Sequence, residues 1–413
     1  MLRPAAKHSP RTVARILELF SSLRELTSLD AILERILSEA RRLSRAEAGT
    51  VFLREGGNLA FSFVQNDRLA GSRHVTEAVY QNACLPIDGD SIAGHVAHTG
   101  QAVIIDDVRS LPPDAPFRFN TAFDERSGYQ TRSILTLPVI NSRGAVVAVM
   151  QLINALGSGK SRRKVGPFSS GAADFVALLA HHAAAAIEAG LMTREMVLRM
   201  VRMAEMRDPS ETGPHVQRVG AYAAEIYQAL ATARGEDAGV LKRTKDRIAV
   251  AAMLHDVGKV GVPDGILKKP GPLSAEERRI MCRHTWHGAD LFRDSTSELD
   301  AMAADIAAHH HQRFDGTGYP DWSADPLPGS GSGQAGPSPL KGRAIPLAAR
   351  IVALADVYDA LTSRRVYKPA WTDAEARAYI AGASGTHFDP EVVSAFSSLG
   401  KMVHAVRDRY PDP

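Results

Sequence analysis

The sequence predicts a multidomain chain: an α+β module, one long linker helix and an all-α helical bundle. Three observations predict it. Paired strand-like runs separated by tight turns occupy much of residues 50–153. A helical run from Ala172 to Met206 contains no strong breaker. After residue 210 most patterned segments have helical spacing, and nine of the fifteen histidines lie there. The spacing places boundaries at 1–170, 171–207 and 208–413.

The length of 413 residues suits two or three domains. Apolar content of 45% and charged content of 23% are those of globular chains. A net charge of +3 is too small to argue for a nucleic-acid surface, and no polymeric nucleic acid is expected as a partner. Cys84 and Cys282 form no CxxC pair, which argues against a disulfide scaffold and for a reducing compartment. No apolar run approaches the ~20 residues that cross a bilayer, and residues 1–10 lack the apolar core of a signal peptide. The expectation is a cytoplasmic protein with no membrane partner.

In the first module, Val13, Ile16, Leu17, Phe20 and Leu23 share a helical stripe over 11–23. Ser28 can cap a second helix whose Leu29, Ile32, Leu33, Ile36, Leu37 and Ala40 share a face. Thr50–Leu53 and Leu59–Val64 flank Glu55-Gly56-Gly57-Asn58, the pattern of a β-hairpin. Ser91–Thr99 reads as a short helix stopped by Gly100, followed by a strand over 102–105. A second hairpin, 134–140 with 145–153, turns at Asn141-Ser142-Arg143-Gly144. Ser91-Ile92-Ala93-Gly94-His95-Val96-Ala97-His98-Thr99-Gly100-Gln101 followed by that hairpin resembles a GAF domain. The resemblance implies a sensor module, responding to a small-molecule ligand or to light. No ligand-binding residue is assigned here, and His95, His98 and Cys84 read as surface or hydrogen-bonded side chains.

Residues 157–166 are rich in Gly, Ser, Lys and Arg and read as a loop. Beyond them Leu191, Met192, Met196, Met200, Met203 and Met206 recur at helical spacing, which favours a packed seam and a two-stranded coiled coil, hence a homodimer. Asp208-Pro209-Ser210 breaks that helix.

In the bundle, Glu211 and His215 are four residues apart and can share a helix face. The helix-like run 249–259 delivers His255 and Asp256 side by side, with Gly258 and Lys259 within a turn. Ser274 and Glu277 form a capping box for a helix carrying His284 and His287. A helix ending in His309-His310-His311 meets a glycine-rich turn. Residues 321–342 read as a protruding flexible insertion. Another helix, 343–362, carries Asp356 and Asp359. Asp389-Pro390 has the N-cap and N1 signature of a helix start.

His255-Asp256 with Lys259, His310-His311-Gln312-Arg313-Phe314-Asp315-Gly316-Thr317-Gly318-Tyr319-Pro320 and Asp356-Val357-Tyr358-Asp359-Ala360-Leu361-Thr362 resemble the HD-GYP family. These are metal-dependent phosphohydrolases with an all-helical fold. The resemblance covers about residues 205–410. It implies hydrolysis of cyclic di-GMP to pGpG and/or GMP. It also implies metal ligands at Glu211, His215, His255, Asp256, His284, His310, His311 and Asp356, with Glu211 serving a third ion. Lys259 would touch the scissile phosphate, Arg365 and Lys368 would grip phosphate, and Gly318, Tyr319 and Pro320 would line the pocket. His309 has no counterpart and reads as a helix-end residue. Gln312 and Phe314 replace the usual Glu and Trp.

Two cations ~3.5–4 Å apart can share and acidify one water and clamp phosphoryl oxygens. Mixed imidazole and carboxylate donors suit Fe or Mn better than Mg, so two or three such ions are expected. Asp256 is the natural bridge, and Asp256 and Lys259 are the candidate catalytic groups. The rival readings are a non-catalytic module that binds cyclic di-GMP or a partner protein, and a hydrolase of another cyclic dinucleotide.

Overall fold

The computed structural model describes residues 26, 28–68, 84–157, 164–208, 213–294, 297–321, 339–363, 370–400 and 402–412. The expected helix over 11–23, the residues Glu211, Arg365 and Lys368, and most of the 321–342 insertion lie outside them. The chain divides into two compact units, 1–192 and 193–413.

The first unit is built on one antiparallel sheet. Helix α1 (Leu29–Ser44) starts where the Ser28 hydroxyl accepts the Ala31 amide, and its buried face includes the predicted stripe. Strands β1 (Ala46–Glu55) and β2 (Asn58–Asn66) form the expected hairpin, with Gly56 at φ +62 in the turn. There follow β3 (Cys84–Pro86), α2 (Ile92–Thr99), β4 (Val103–Ile105), α3 (Ala122–Ser127), β5 (Ile134–Ile140), β6 (Val146–Leu156) and β7 (Val165–Gly166). The sheet order is β3-β2-β1-β6-β5-β4, with β7 on β6. The connector read as loop thus ends in two residues that extend the sheet. Alternation along β1 sends Val51 and Leu53 into a core with α1 and sends Phe52 to the opposite face, against α2.

Helix α4 (Ser170–Glu205) runs 36 residues. Contrary to the sequence expectation, its length and composition do match those of a bilayer-crossing segment. Packing gives it another role: Val176, Leu179, Ala183 and Ile187 are buried in the first core, and Val197 and Val201 in the second. The methionines do not form a seam within the chain. Met192, Met196, Met203 and Met206 are 53–83% exposed, while Met200 is partly buried against the second core.

The second unit is helical. Besides a single α-helical turn at Asp264–Leu267, it comprises α5 (Gly213–Arg234), α6 (Ala238–Ala251), α7 (Ala275–Cys282), α8 (His284–Asp290), α9 (Glu298–His309), α10 (Leu347–Thr362), α11 (Asp373–Gly382), α12 (Pro390–Ser398) and α13 (Met402–Arg409). Val219, Tyr222 and Ile226 of α5 meet Ile248 of α6, Ile306 of α9 and Ile351, Leu354 and Tyr358 of α10 in one core. Ser274 and Glu277 make the expected capping box. Asp389 caps α12 ahead of Pro390.

Two expected helices are broken. The run 249–259 leaves helical geometry after Ala251, turning through 3-10 segments at 252–254 and 257–261, with Asp256 at φ −105, ψ 9. Successive residues on a continuous helix diverge by ~100°, so the break is what lets His255 and Asp256 face one space. The helix begun at Ser274 divides at Arg283, and His284 opens α8 with its Nδ1 2.9 Å from the Met281 carbonyl oxygen.

Candidate metal centre

The candidate ligands sit mainly at helix ends and turns, where tight backbone geometry can aim a side chain inward. His215 lies in the first turn of α5, and His255 and Asp256 lie between the two 3-10 segments. His284 begins α8, His310 caps α9, His311 follows, and Asp356 lies within α10. His309 is the last residue of α9, as expected for a helix-end histidine.

These residues fall into two groups. Asp256, His284, His310 and His311 offer ligand atoms all within 4.8 Å of one another, and His215, His255 and Asp356 do the same. Asp256 joins the groups. Its Oδ1 is 3.1 Å from His284 Nε2 and 3.5 Å from His310 Nε2, and its Oδ2 is 3.4 Å from His255 Nε2. Asp356 Oδ1 is 3.6 Å from His215 Nε2 and 3.9 Å from His255 Nε2.

The imidazoles are oriented by their outer nitrogens. Nδ1 of His255 faces the Ala252 carbonyl at 2.9 Å, and Nδ1 of His310 faces that of Ile306 at 3.0 Å. Carbonyls only accept, so each Nδ1 must donate, which leaves the Nε2 lone pair directed into the site. His284 is held in the same way by Met281. For His215 the acceptor is Asp359, at 2.8 Å. The fit to cations follows from what is left over: Asp256 Oδ1, His284 Nε2 and His310 Nε2 are buried and, among the described residues, make no hydrogen bond. Buried polar atoms are rarely orphaned, and lone pairs converging from imidazoles and a carboxylate are a donor set that could hold a cation.

Electrostatics favour the ligand-competent forms. Burial opposes ionisation of Asp256, but Lys259, His255 and His284 hold its carboxyl well below the usual range. Burial pushes His310 down, and burial together with the His310 neighbour pushes His311 well down, so both stay neutral donors near pH 7. Lys259 Nζ lies 2.9 Å from Asp256 Oδ2 and 3.4 Å from Asp208 Oδ2.

The glycine-rich turn closes beside the first group. Tyr319 stacks on His311 with ring centroids 4.5 Å apart, and its amide donates to the His311 carbonyl. The Tyr319–Pro320 peptide is cis. A Cβ at Gly318 would lie 2.3 Å from the Arg313 nitrogen, so the turn closes only with glycine there. Gln312 is buried and its amide nitrogen donates to the Pro320 carbonyl at 2.8 Å, a bond an ionised glutamate could not give.

Seven of the eight sequence-predicted ligands therefore converge, and Glu211 lies outside the described residues, as do the expected phosphate-gripping Arg365 and Lys368. Sequence reasoning placed Asp359 on the helix of Asp356 and Asp208 at a helix break without giving either a role at the site, and it did not single out Arg218. Asp359 is fully buried. It receives Arg218 Nε on Oδ1 at 2.6 Å and Arg218 Nη2 on Oδ2 at 2.9 Å, besides His215. Burial would raise its carboxyl, but His215 and Arg218 lower it below the ordinary value. The available signal was spacing: Arg218 lies three residues after His215 and Asp359 three after Asp356, on shared helix faces.

In the first unit, a cavity of about 750 Å³ is lined in part by Val108, Arg109, Phe117, Arg118, Phe119 and Tyr129.

Residues 212–361 match the HD domain family and residues 27–188 match a GAF domain family. A cyclic di-GMP phosphodiesterase of Vibrio cholerae is 39% identical over 226 residues, covering 53% of this chain and 42% of that protein. The 3'3'-cGAMP-specific phosphodiesterase 2 of the same organism is 37% identical over 220 residues, covering 53% and 37%. A cyclic di-GMP phosphodiesterase of Thermotoga maritima is 39% identical over 217 residues, covering 52% of each chain. The matched region is about half the length of these relatives or less.

Proposed function

We propose that this chain, which joins a GAF domain to an HD domain, is a metal-dependent phosphodiesterase that hydrolyses cyclic di-GMP to pGpG and/or GMP. The observation that carries the reading is the sharing of Asp256 between two ligand groups, the arrangement expected where one carboxylate bridges two cations. The donor set favours Fe or Mn. His284, His310, His311 and Asp256 would hold one ion, and His215, His255, Asp356 and Asp256 the other, with Glu211 available to a third. Bound ions supply an acidified water and charge neutralisation at the phosphoryl oxygens. The chain supplies the rest: buried imidazoles oriented with Nε2 toward the site, a carboxylate held ionised, and the Lys259 ammonium beside it to meet phosphate. Arg365 and Lys368 would add phosphate contacts, and Gly318, Tyr319 and Pro320 a pocket wall.

Two of the relatives above carry cyclic di-GMP in their names and support that substrate. The relative named for 3'3'-cGAMP is almost as similar and favours a second reading, hydrolysis of that dinucleotide. The receptor reading, binding without turnover, is disfavoured by the intact ligand groups. We further read the protein as a cytoplasmic homodimer that pairs along α4 and is regulated by a small molecule at the GAF cavity. Incubating Mn- or Fe(II)-loaded protein with each dinucleotide and following products by chromatography tests the activity. Cyclic di-GMP should be consumed, and His255→Ala combined with Asp256→Ala should abolish turnover while helix content is kept. Binding without turnover would replace this reading with a receptor.

A further inference from the structure

We propose that Arg207 is a positioning residue for Lys259, acting by clamping the outer side of the 3-10 turn that carries it. The role given to Lys259 rests on the function proposed above; the clamp itself rests on geometry. The turn at 257–261 is too short to satisfy its own last carbonyls. Arg207, two residues beyond the end of α4, supplies the missing donors. Its Nη1 donates to the Val260 carbonyl, and its Nη2 to the Val262 carbonyl at 3.0 Å and to the Asp264 carboxylate at 2.6 Å. The inner side of the turn is fixed by close packing. A Cβ at Gly258 would lie 2.0 Å from the His284 carbonyl oxygen, and one at Gly261 would lie 2.8 Å from the His287 ring.

Lys259 therefore sits between two glycines pressed against α8, with the carbonyl of its next neighbour gripped from outside. Asp208, adjacent to Arg207, meets the Lys259 ammonium at 3.4 Å. Two consecutive residues thus hold the turn and its lysine: one through the backbone, the other through the side chain. A lysine at 207 has one compact head group and cannot span two carbonyls and a carboxylate.

The test uses the full chain with Arg207→Gln and, as a milder probe, Asp264→Ala, which leaves the guanidinium and its two carbonyl bonds in place with one anchor fewer. In metal-free protein, hydrogen exchange read by mass spectrometry should speed up about tenfold over 257–262 in Arg207→Gln and less in Asp264→Ala. Exchange in α10 should not change. Acetic anhydride labelling of Lys259 should rise several-fold in the same order. With Mn bound, kcat on cyclic di-GMP should fall about tenfold while Mn content stays within twofold of wild type. Unchanged exchange over 257–262, or an equal acceleration in α10, overturns the clamp. Faster exchange with unchanged Lys259 labelling overturns its positioning role. If the wild-type protein turns over no cyclic dinucleotide, the functional reading falls, and exchange and labelling still decide this one.

Discussion

Asp359 belongs to neither ligand group, yet it determines how His215 meets its own. Its carboxylate takes the His215 Nδ1 proton and both arms of Arg218, and Arg218 in turn donates to the Tyr410 carbonyl and to Asp412. Replacing Asp359 by Asn offers His215 an amide that can face either way and leaves the buried guanidinium only the more exposed Asp412 as counter-charge. Metal affinity should fall about 10–100-fold, and the loss should fall on the His215–His255–Asp356 group. Titration with Mn, read by metal content after desalting, should show about one ion lost while the other is kept. Breaking the buried pair should also cost about 3 kcal/mol in denaturant melts. At this scale the ligands were legible because imidazoles and carboxylates cluster at recognisable spacing. Asp359 and Arg218 were not, because a buried counter-ion looks in sequence like any polar residue on a helix.

Caps and periodicity carried the helices and strands. Ser28, Ser274 and Asp389 begin elements where their hydroxyls or carboxylate suggested. The breaks after Ala251 and at Arg283 were not visible, since no Pro or Gly stands at either point. They satisfy a tertiary demand, aiming His255, Asp256 and His284 at one another. Gly258 is where that demand is sharpest, with α8 backbone against it on the Cβ side. Gly258→Ala should therefore be more than a propensity change. The turn must withdraw from α8, at a cost of about 3 kcal/mol, and Asp256 must move with it. A thermal melt together with Mn content should show reduced stability and loss of metal together. A variant that melts and binds Mn like wild type would contradict the close approach.

At the scale of the molecule, α4 contributes to both cores while showing Met192, Met196 and Met203 to solvent, with Met206 exposed just past its end. Exposed methionines in such a row are adaptable apolar contact surface. The seam expected from the sequence would therefore need a second chain to cover it. Sedimentation should show a dimer, and Met192→Glu with Met196→Glu should shift it toward monomer without lowering helix content. The division into a sheet-based and a helical unit was legible from period alone. The outward face of α4 was not: a buried methionine row and an exposed one have the same spacing, and only packing separates them.

Asp256 has unequal sides. Lys259 already neutralises Oδ2, whereas Oδ1 faces two imidazole Nε2 atoms and, among the described residues, no ammonium. A cation arriving at the first face would meet no cationic rival, and one arriving at the second would have to displace an ammonium. Stepwise addition of Mn should therefore fill the Oδ1 face first and free the lysine only at the second step.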